Sequence, residues 1–230
     1  VCGEYVSNEI KPYLKWLGVP LDSVPVADIR RLLLSTTSGK SIETALPLGG
    51  FGISRHALDL LLYETALQKG VDFLFETVQD IRFEDDVFYI PIGTEKVVTT
   101  PQVIGAFGKR SNLDKQLNRG FIAQKSPWLG VKCHYRYDDF DNDLVALHHF
   151  QGGYGGLSKT EKNRVNFCYL ATYESFKPYK NVEDYNKAVV AKNPFLGEFL
   201  AKATPVFEKP ITISQISFKK KTTIENHMLL

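Results

Sequence analysis

Three residue types are scarce in this chain of 230 residues, which contains three cysteines, two tryptophans and one methionine. Cys2, Cys133 and Cys168 are odd in number and share no metal-ligand spacing, so we expect reduced thiols, no metal site and a cytoplasmic protein. Neither sign of charge dominates, because 28 basic and 26 acidic residues leave a net charge of +2. That balance gives no bulk attraction to nucleic acid or to a membrane surface.

Long apolar runs are also missing, and none approaches the ~20 residues that a helix needs to span a bilayer. The sequence therefore predicts no integral membrane segment, and no signal-peptide pattern follows Val1. The first letters, "VCGEY", and the last, "ENHMLL", resemble a segment cut from a longer polypeptide. The oligomeric state is not indicated by any pattern.

What the chain does contain is an ordinary globular composition, with 43% hydrophobic and 23% charged residues. Short alternating strand patterns outnumber amphipathic helical ones, which favours an α/β (α+β) fold over an all-β sandwich. We predict one sheet from strands near residues 130–137, 143–150, 164–172 and 211–218. Helices near 182–203 should cover one face of it, and a hairpin is expected near residues 28–47. A meander of short strands is predicted in "VDFLFETVQDIRFE", "VFYI", "EKVVTT" and "QVIGAFG".

Two glycine-bearing loops are followed by basic residues at a helix start. "LGGFG" precedes Ser54, Arg55 and His56, which open an amphipathic helix that Gly70 ends. "VIGAFGKRS" brings Gly105 and Gly108 next to Lys109 and Arg110. Cations are unfavourable beside the partial positive charge of a helix start, so we expect an anion such as a diphosphate at these sites, although a solvated surface arginine is the alternative.

The segments "CGEYVS…LKWLG", "GISRHALDLLLYETALQKGV" and "VIGAFGKRSNLD" resemble the middle of FAD-dependent oxidoreductases, the superfamily of geranylgeranyl reductases, aromatic hydroxylases and flavin halogenases. The resemblance covers most of residues 1–125. It implies a partial FAD-binding domain over 1–125 and a β-rich substrate domain over 126–230. It also implies that Arg55 lies against FAD and that the turn Gly105, Ala106 and Gly108 supports the cofactor near its diphosphate.

Several family features are absent from the chain. Phe107 replaces the aspartate that the family usually has in the glycine turn, which puts a contact with NAD(P)H as electron donor in doubt. The G-x-G-x-x-G fingerprint and the late Gly-Asp motif do not occur. We therefore expect an internal fragment that binds FAD weakly or not at all and is inactive alone.

The resemblance leaves the reaction and the substrate open. With only Trp16 and Trp128, the chain cannot contain the W-x-W-x-I-P motif of flavin halogenases, which leaves a reductase or a hydroxylase (monooxygenase). The segment around Gly153, Tyr154 and Gly155 resembles the substrate-side sheet and would suit a small apolar substrate, such as a prenyl or aromatic compound. A glycine-rich hairpin bend is the alternative reading of these residues.

Other chemistries have less support. The histidines of "ALHHF" alternate across a strand, so only one of His148 and His149 can face inward. The aspartates at 138–143 lack the glycine and glutamate of a calcium loop, and a polar turn explains them. No catalytic residue is identified. The function that competes with a flavin oxidoreductase is a non-catalytic module that binds an apolar ligand.

Overall fold

The computed structural model describes residues 2–108, 111–123, 126–216, 218 and 220–230, and the backbone alone of Ala123. Contacts between Cα atoms divide the chain into two units, Val1–Val71 with Pro127–Ile216 and Asp72–Ser126 with Ser217–Leu230. The strands, in chain order, are β1 (Tyr5–Ser7), β2 (Ala27–Ser35), β3 (Ser41–Gly52), β4 (Arg82–Glu84), β5 (Val87–Ile92), β6 (Lys96–Thr100), β7 (Trp128–Arg136), β8 (Leu144–Phe150), β9 (Gly153–Thr160), β10 (Arg164–Thr172), β11 (Thr204–Pro205), β12 (Ile211–Ser214), β13 (Ile224–Glu225) and β14 (Met228–Leu229). The α-helices are α1 (Lys11–Leu17), α2 (Arg55–Gln68), α3 (Leu113–Gln116), α4 (Tyr173–Phe176), α5 (Val182–Ala188) and α6 (Pro194–Lys202).

One large sheet forms the first unit, in the order β1-β3-β2-β8-β9-β10-β7-β11, with β12 also paired to β7. Every pair in it is antiparallel except β2 with β8, which run parallel. All four predicted strands of the later half lie in this sheet, so that prediction is confirmed, although β12 ends at Ser214 and Ser217 lies outside the described residues. The strand β9 also lies in this sheet, so the segment around Tyr154 forms a strand and not only a hairpin bend.

The two faces of this sheet differ because side chains alternate along each strand. One face, here called the helical face, carries the main hydrophobic core under α5 and α6, as expected for helices near 182–203. Val131 and Tyr135 of β7, Phe167 of β10 and Phe199 of α6 are among its buried members. The other face, here called the polar face, carries Lys132 and its alternating neighbours.

A second core lies under α1 and α2. The helix α1 buries Leu14 and ends at Gly18, whose left-handed φ of 77° suits a residue without a side chain. The helix α2 begins after its N-cap Ser54, whose hydroxyl accepts a hydrogen bond from the Ala57 N–H at 3.1 Å. The predicted helix from Ser54 to Gly70 is therefore confirmed.

The second unit contains the three-stranded antiparallel sheet β4-β5-β6, the hairpin β13-β14 and α3. Buried Arg119 links its parts through ion pairs of 2.9 Å with Asp114 and with Glu225. Two strand predictions need correction here. The apolar run before Arg82 is mostly coil, and in "QVIGAFG" only Ile104 makes a bridge, to Leu229.

The predicted hairpin near residues 28–47 forms, as β2 and β3. The parallel pairing of β2 with β8 places it in the same sheet as the later strands. Contacts therefore group the hairpin with residues after 126, whereas the sequence suggests a boundary at 125. The roles of residues 1–125 and 126–230 in cofactor and substrate binding stay predictions.

Candidate functional site

The most unusual group in the first unit is the carboxylate of Glu4, which is only 2% exposed. Lys132 donates a hydrogen bond to its Oε1, and the Nε2 of His134 lies 2.6 Å from its Oε2. The Arg55 N–H donates to Oε1 at 2.9 Å. One carboxylate thus connects strand β7 to the first turn of α2, and we call Glu4, Lys132 and His134 the polar network.

The backbone before β1 holds Glu4 in place. Asn166 and Ser158, on the polar face, donate hydrogen bonds to the carbonyl oxygen of Gly3 at 2.7 and 3.0 Å. The carbonyl oxygen of Glu4 accepts from the Ile53 N–H at 3.1 Å. Glu4 itself has a φ of 57°, a left-handed conformation that is uncommon for a residue with a side chain. Such strain persists where surrounding contacts enforce it, and it is frequent at functional sites.

The electrostatics of the polar network favour the ionised carboxylate. Burial alone would raise the pKa of Glu4, but hydrogen bonds from His134, Lys132 and the Arg55 N–H outweigh it and hold that pKa below its ordinary value. Glu4 is therefore a fixed negative charge at neutral pH. The side chain of Lys132 is 9% exposed, so each of these two charges depends on the other in the interior.

A second carboxylate occupies the start of α2. Glu161, in the turn between β9 and β10, accepts hydrogen bonds from the Ser54 N–H at 2.7 Å and from the Ser54 hydroxyl at 2.5 Å. The guanidinium of Arg55 donates to Asp59 one turn later, at 2.7 Å. The anions that the sequence led us to expect at this helix start are thus, in the structure, two carboxylates of the chain itself, Glu4 and Glu161.

A cavity of about 640 Å³ opens beside the polar network. Phe207 and Ile211 give it an apolar wall, and Glu4 and Glu161 are the acidic residues of its lining. Among the described residues, no carboxylate lies within 4 Å of the charged groups of Lys162, Arg164 or Lys209. Convergent unpaired cations raise the local concentration of anions, so we call this the basic cavity. Its basic lining residues are Arg55, His56, Lys132, His134, Lys162, Arg164 and Lys209.

The predicted cofactor residues fall in both units. Arg55 lies in the first turn of α2, as expected, whereas Gly105, Ala106 and Gly108 belong to the second unit. The Gly105 N–H donates to the Leu229 carbonyl at 2.7 Å, and Gly108 has a left-handed φ of 64°. Lys109 and Arg110 lie outside the described residues. Binding of one dinucleotide by both sites stays a prediction.

The predicted substrate residues lie on β9. Tyr154 is 43% exposed, and strand alternation places Gly153 and Gly155 on the opposite face from it. A side chain at Gly155 would meet the ring of Phe167 at 2.7 Å. This glycine therefore makes room for core packing, and a role of the three residues in substrate binding stays a prediction.

Reasoning from the sequence did not single out Glu4, Lys132, His134 or Glu161. The signal for two of them was present, since Lys132 and His134 interrupt an apolar strand at alternate positions and so share one face. A buried lysine requires a carboxylate partner, but the sequence does not say which one.

The remaining polar clusters have structural explanations. Asp141 and Asp143 both pair with Arg31, at 2.5 and 2.7 Å, which accounts for the acidic turn. Within the described ranges, no cluster of three or more histidine, cysteine, aspartate or glutamate residues could hold a metal ion. Likewise, none of the helices there is long and apolar enough to cross a membrane.

No protein-family model matches this sequence, and the search of curated proteins gave no match. Solved structures do match. A flavoprotein/dehydrogenase from Cytophaga hutchinsonii aligns with 100% of this chain and 60% of its own, with a TM-score of 0.81 and 14% identity. A triple mutant of the flavin-dependent brominase Bmp2 aligns with 100% and 62%, with a TM-score of 0.79 and 12% identity.

The myxobacterial chondrochloren halogenase CndH, described as a variant of FAD-dependent halogenases, aligns with 100% of this chain and 58% of its own. Its TM-score is 0.77 and its identity 15%. The chain therefore spans about 60% of the length of these relatives. At such identities the comparison establishes the fold alone: this chain has the mixed α/β architecture found in flavoprotein dehydrogenases and FAD-dependent halogenases.

Proposed function

We propose that this chain is part of an FAD-dependent oxidoreductase that acts on a small apolar substrate, such as a prenyl or aromatic compound. The observation that carries the proposal is the fold. Three flavin-dependent proteins of known structure align with 100% of this chain, at TM-scores of 0.77 to 0.81. Bound flavin would supply the redox chemistry, and the protein would orient it and exclude water. NAD(P)H is the proposed electron donor, and reduction or hydroxylation the proposed reaction.

The basic cavity suits an anionic group of such a cofactor. Arg55, Lys162 and Arg164 line it, and charged hydrogen bonds to phosphate are among the stronger ones in proteins. The Ser54 and Arg55 N–H groups at the start of α2 already have carboxylate partners, so basic side chains would provide the contacts there. We further propose that Gly105, Ala106 and Gly108 approach the cofactor through their backbone.

The polar network would determine which groups of this site carry a proton. His134 lines the cavity together with Glu4, and its Nε2 lies 2.6 Å from the ionised carboxylate, which orients the ring and favours the tautomer with a hydrogen on that nitrogen. We propose His134 as the group that holds a proton in this cavity. Lys132 and Glu4 would then be positioning residues for it.

Flavin content tests the proposal. We expect the 230-residue chain alone to retain little FAD and the complete protein that contains it to purify with flavin absorbance, which a nicotinamide donor bleaches. Arg55→Ala in the complete protein should lower the retained FAD many-fold. Arg30→Ala is the matched control, because Arg30 is also exposed and pairs with a nearby aspartate, Asp28.

A complete protein that neither purifies with FAD nor binds added FAD would refute the flavin function and favour the apolar-ligand module. Equal FAD retention in the Arg55→Ala and Arg30→Ala variants would refute the placement of the cofactor at Arg55 while leaving the flavin function intact.

A further inference from the structure

The polar face of the large sheet ends in a pair of like charges. The register of β7 and β10 places Arg136 directly opposite Arg164. Direct partners in an antiparallel ladder have their side chains on the same face, and like charges in such a pair are destabilising. In the part of the chain that the structure describes, no carboxylate lies within 4 Å of either guanidinium. An anion bound beside these two arginines would remove the repulsion between them.

Further cations near this pair line the basic cavity together with Arg164. Lys162 lies in the turn between β9 and β10, and Lys209 lies in the loop between β11 and β12. The two lysines are exposed and Arg164 is half-exposed, so a ligand in the cavity can reach all three. The acidic lining residues Glu4 and Glu161 already accept hydrogen bonds from other groups of the chain. The positive charge of the cavity is therefore left for a ligand to neutralise.

The wall beside these cations is apolar and accessible. Phe207 is 53% exposed and Ile211 is 55% exposed, and both line the cavity. The ring centroid of Phe207 lies 6.0 Å from that of His134, and Ile211 pairs with Lys132 across β12 and β7. The cavity volume of about 640 Å³ is within the range of small-molecule sites, roughly 300–1,000 Å³. A bound molecule could thus bury these two side chains while it contacts the cations.

The two features together select a class of ligand. Inorganic phosphate would satisfy the cations but leave Phe207 and Ile211 in water. A neutral hydrocarbon would cover Phe207 and Ile211 but leave the cations unpaired. A molecule with an apolar body and one anionic group gains both the burial of apolar surface and charge-assisted hydrogen bonds.

We propose that the basic cavity binds a small apolar carboxylic acid, whose carboxylate contacts Arg164 and Lys209 and whose body covers Phe207 and Ile211. The inference rests on the proposed function and names the class of its substrate: the apolar substrate carries a carboxylate. Binding at this end of the cavity leaves Arg55, at the start of α2, for the cofactor.

The experiment is a calorimetric titration of the purified 230-residue chain with 3-phenylpropionate, with its neutral amide and with inorganic phosphate. We expect the acid to bind about tenfold more tightly than the amide, the size of one charge-assisted contact, and phosphate to bind least. High salt should weaken only the binding of the two anions. Lys209→Gln should weaken binding of the acid several-fold and leave the amide unchanged, whereas Phe207→Ala should weaken both. Lys180→Gln is the matched control, because Lys180 is also exposed and lies outside the cavity lining.

Methyl NMR locates the site in the same samples. A shift of the Ile211 methyl signals on adding the acid would support the basic cavity, and binding without such a shift would overturn it. Equal affinity for acid and amide, or equal losses in Lys209→Gln and Lys180→Gln, would refute recognition of the carboxylate.

The result with phosphate separates this inference from the proposed function. Phosphate that binds as tightly as the acid would refute the substrate class and leave the flavin function intact. A complete protein without FAD would refute the flavin function, and the affinity of the 230-residue chain for the acid, measured without flavin, would still stand or fall on its own.

Discussion

His148 should make the first unit sensitive to mild acid. Its side chain is 1% exposed, lies parallel to the ring of Phe195 at 5.0 Å, and places Nδ1 2.8 Å from the hydroxyl of Ser35. Asn193 also donates to that hydroxyl, at 2.8 Å. Burial lowers the pKa of His148 to about 4, from an ordinary value of 6.5. A protonated His148 would therefore be a positive charge in the interior without a carboxylate partner.

The sign and the size of the effect follow from proton linkage. Because the pKa in the folded state is the lower one, the unfolded chain binds the proton first as the pH falls through 6.5. The free energy of unfolding should therefore decrease by about 2 kcal/mol between about pH 7.5 and about pH 5, and stay constant above pH 7.5 as far as His148 is concerned. The loss should stop growing near pH 4, where the folded state also becomes protonated.

Urea unfolding followed by tryptophan fluorescence measures this loss, because both Trp16 and Trp128 belong to the first unit. His148→Gln should flatten the pH dependence by about 2 kcal/mol, whatever its effect on stability at neutral pH. The neighbouring His149→Gln is the control, since that side chain is exposed on the other face. A parent chain equally stable at both pH values, or equal flattening by the two substitutions, would refute the reasoning.

Glu4→Gln should lower the free energy of unfolding by about 3–5 kcal/mol, because it leaves the buried ammonium of Lys132 without its counter-ion; urea unfolding at neutral pH measures it. Gly52→Ala should lower the thermal midpoint by several degrees, because the added Cβ would overlap the carbonyl oxygen of Lys159. Cys168, which is half-buried, should react slowly with iodoacetamide at neutral pH, because desolvation raises its pKa to about 11; mass spectrometry of timed samples follows the reaction.

Each of these predictions has a matched control. Glu183→Gln breaks an exposed ion pair with Lys187 and should leave the free energy of unfolding in urea unchanged. An equal loss of that free energy in Glu4→Gln and Glu183→Gln would contradict the prediction for Glu4. Gly120→Ala should be neutral, since a Cβ there meets nothing within 4 Å. Cys168 should react rapidly in concentrated urea, and an equal rate in the native chain would contradict its burial.

Sequence patterns predicted those helices and strands that are determined by residues close together in the chain. The helix α2 could be placed from an N-cap at Ser54, helical spacing of leucines and a glycine at position 70, all within one stretch of chain. The strands β7, β8 and β10 alternate in hydrophobicity because one of their faces packs under helices. The apolar run before Arg82 misled the same reasoning, because residues 71–75 remain largely exposed coil and form no strand.

The polar network could not be predicted in this way, because its members are distant in sequence. Glu4 and Lys132 are 128 residues apart, and Glu161 meets Ser54 across 107 residues. The rule that cations are unfavourable at a helix start correctly required an anion near Arg55. It could not distinguish a cofactor from carboxylates supplied by other parts of the chain, because the electrostatic requirement is the same for both.

The parallel pairing of β2 with β8 has a consequence for how the chain folds during synthesis. Ser35 and His148 meet across 113 residues, so the hairpin β2–β3 leaves the ribosome long before its neighbour. At ~5–20 residues per second the delay is about 6–23 s. During that time the β2 edge of Leu32, Leu33 and Leu34 has no partner strand, and such an apolar edge invites pairing with other chains. The yield of this protein should therefore depend on whatever protects that edge until β8 arrives.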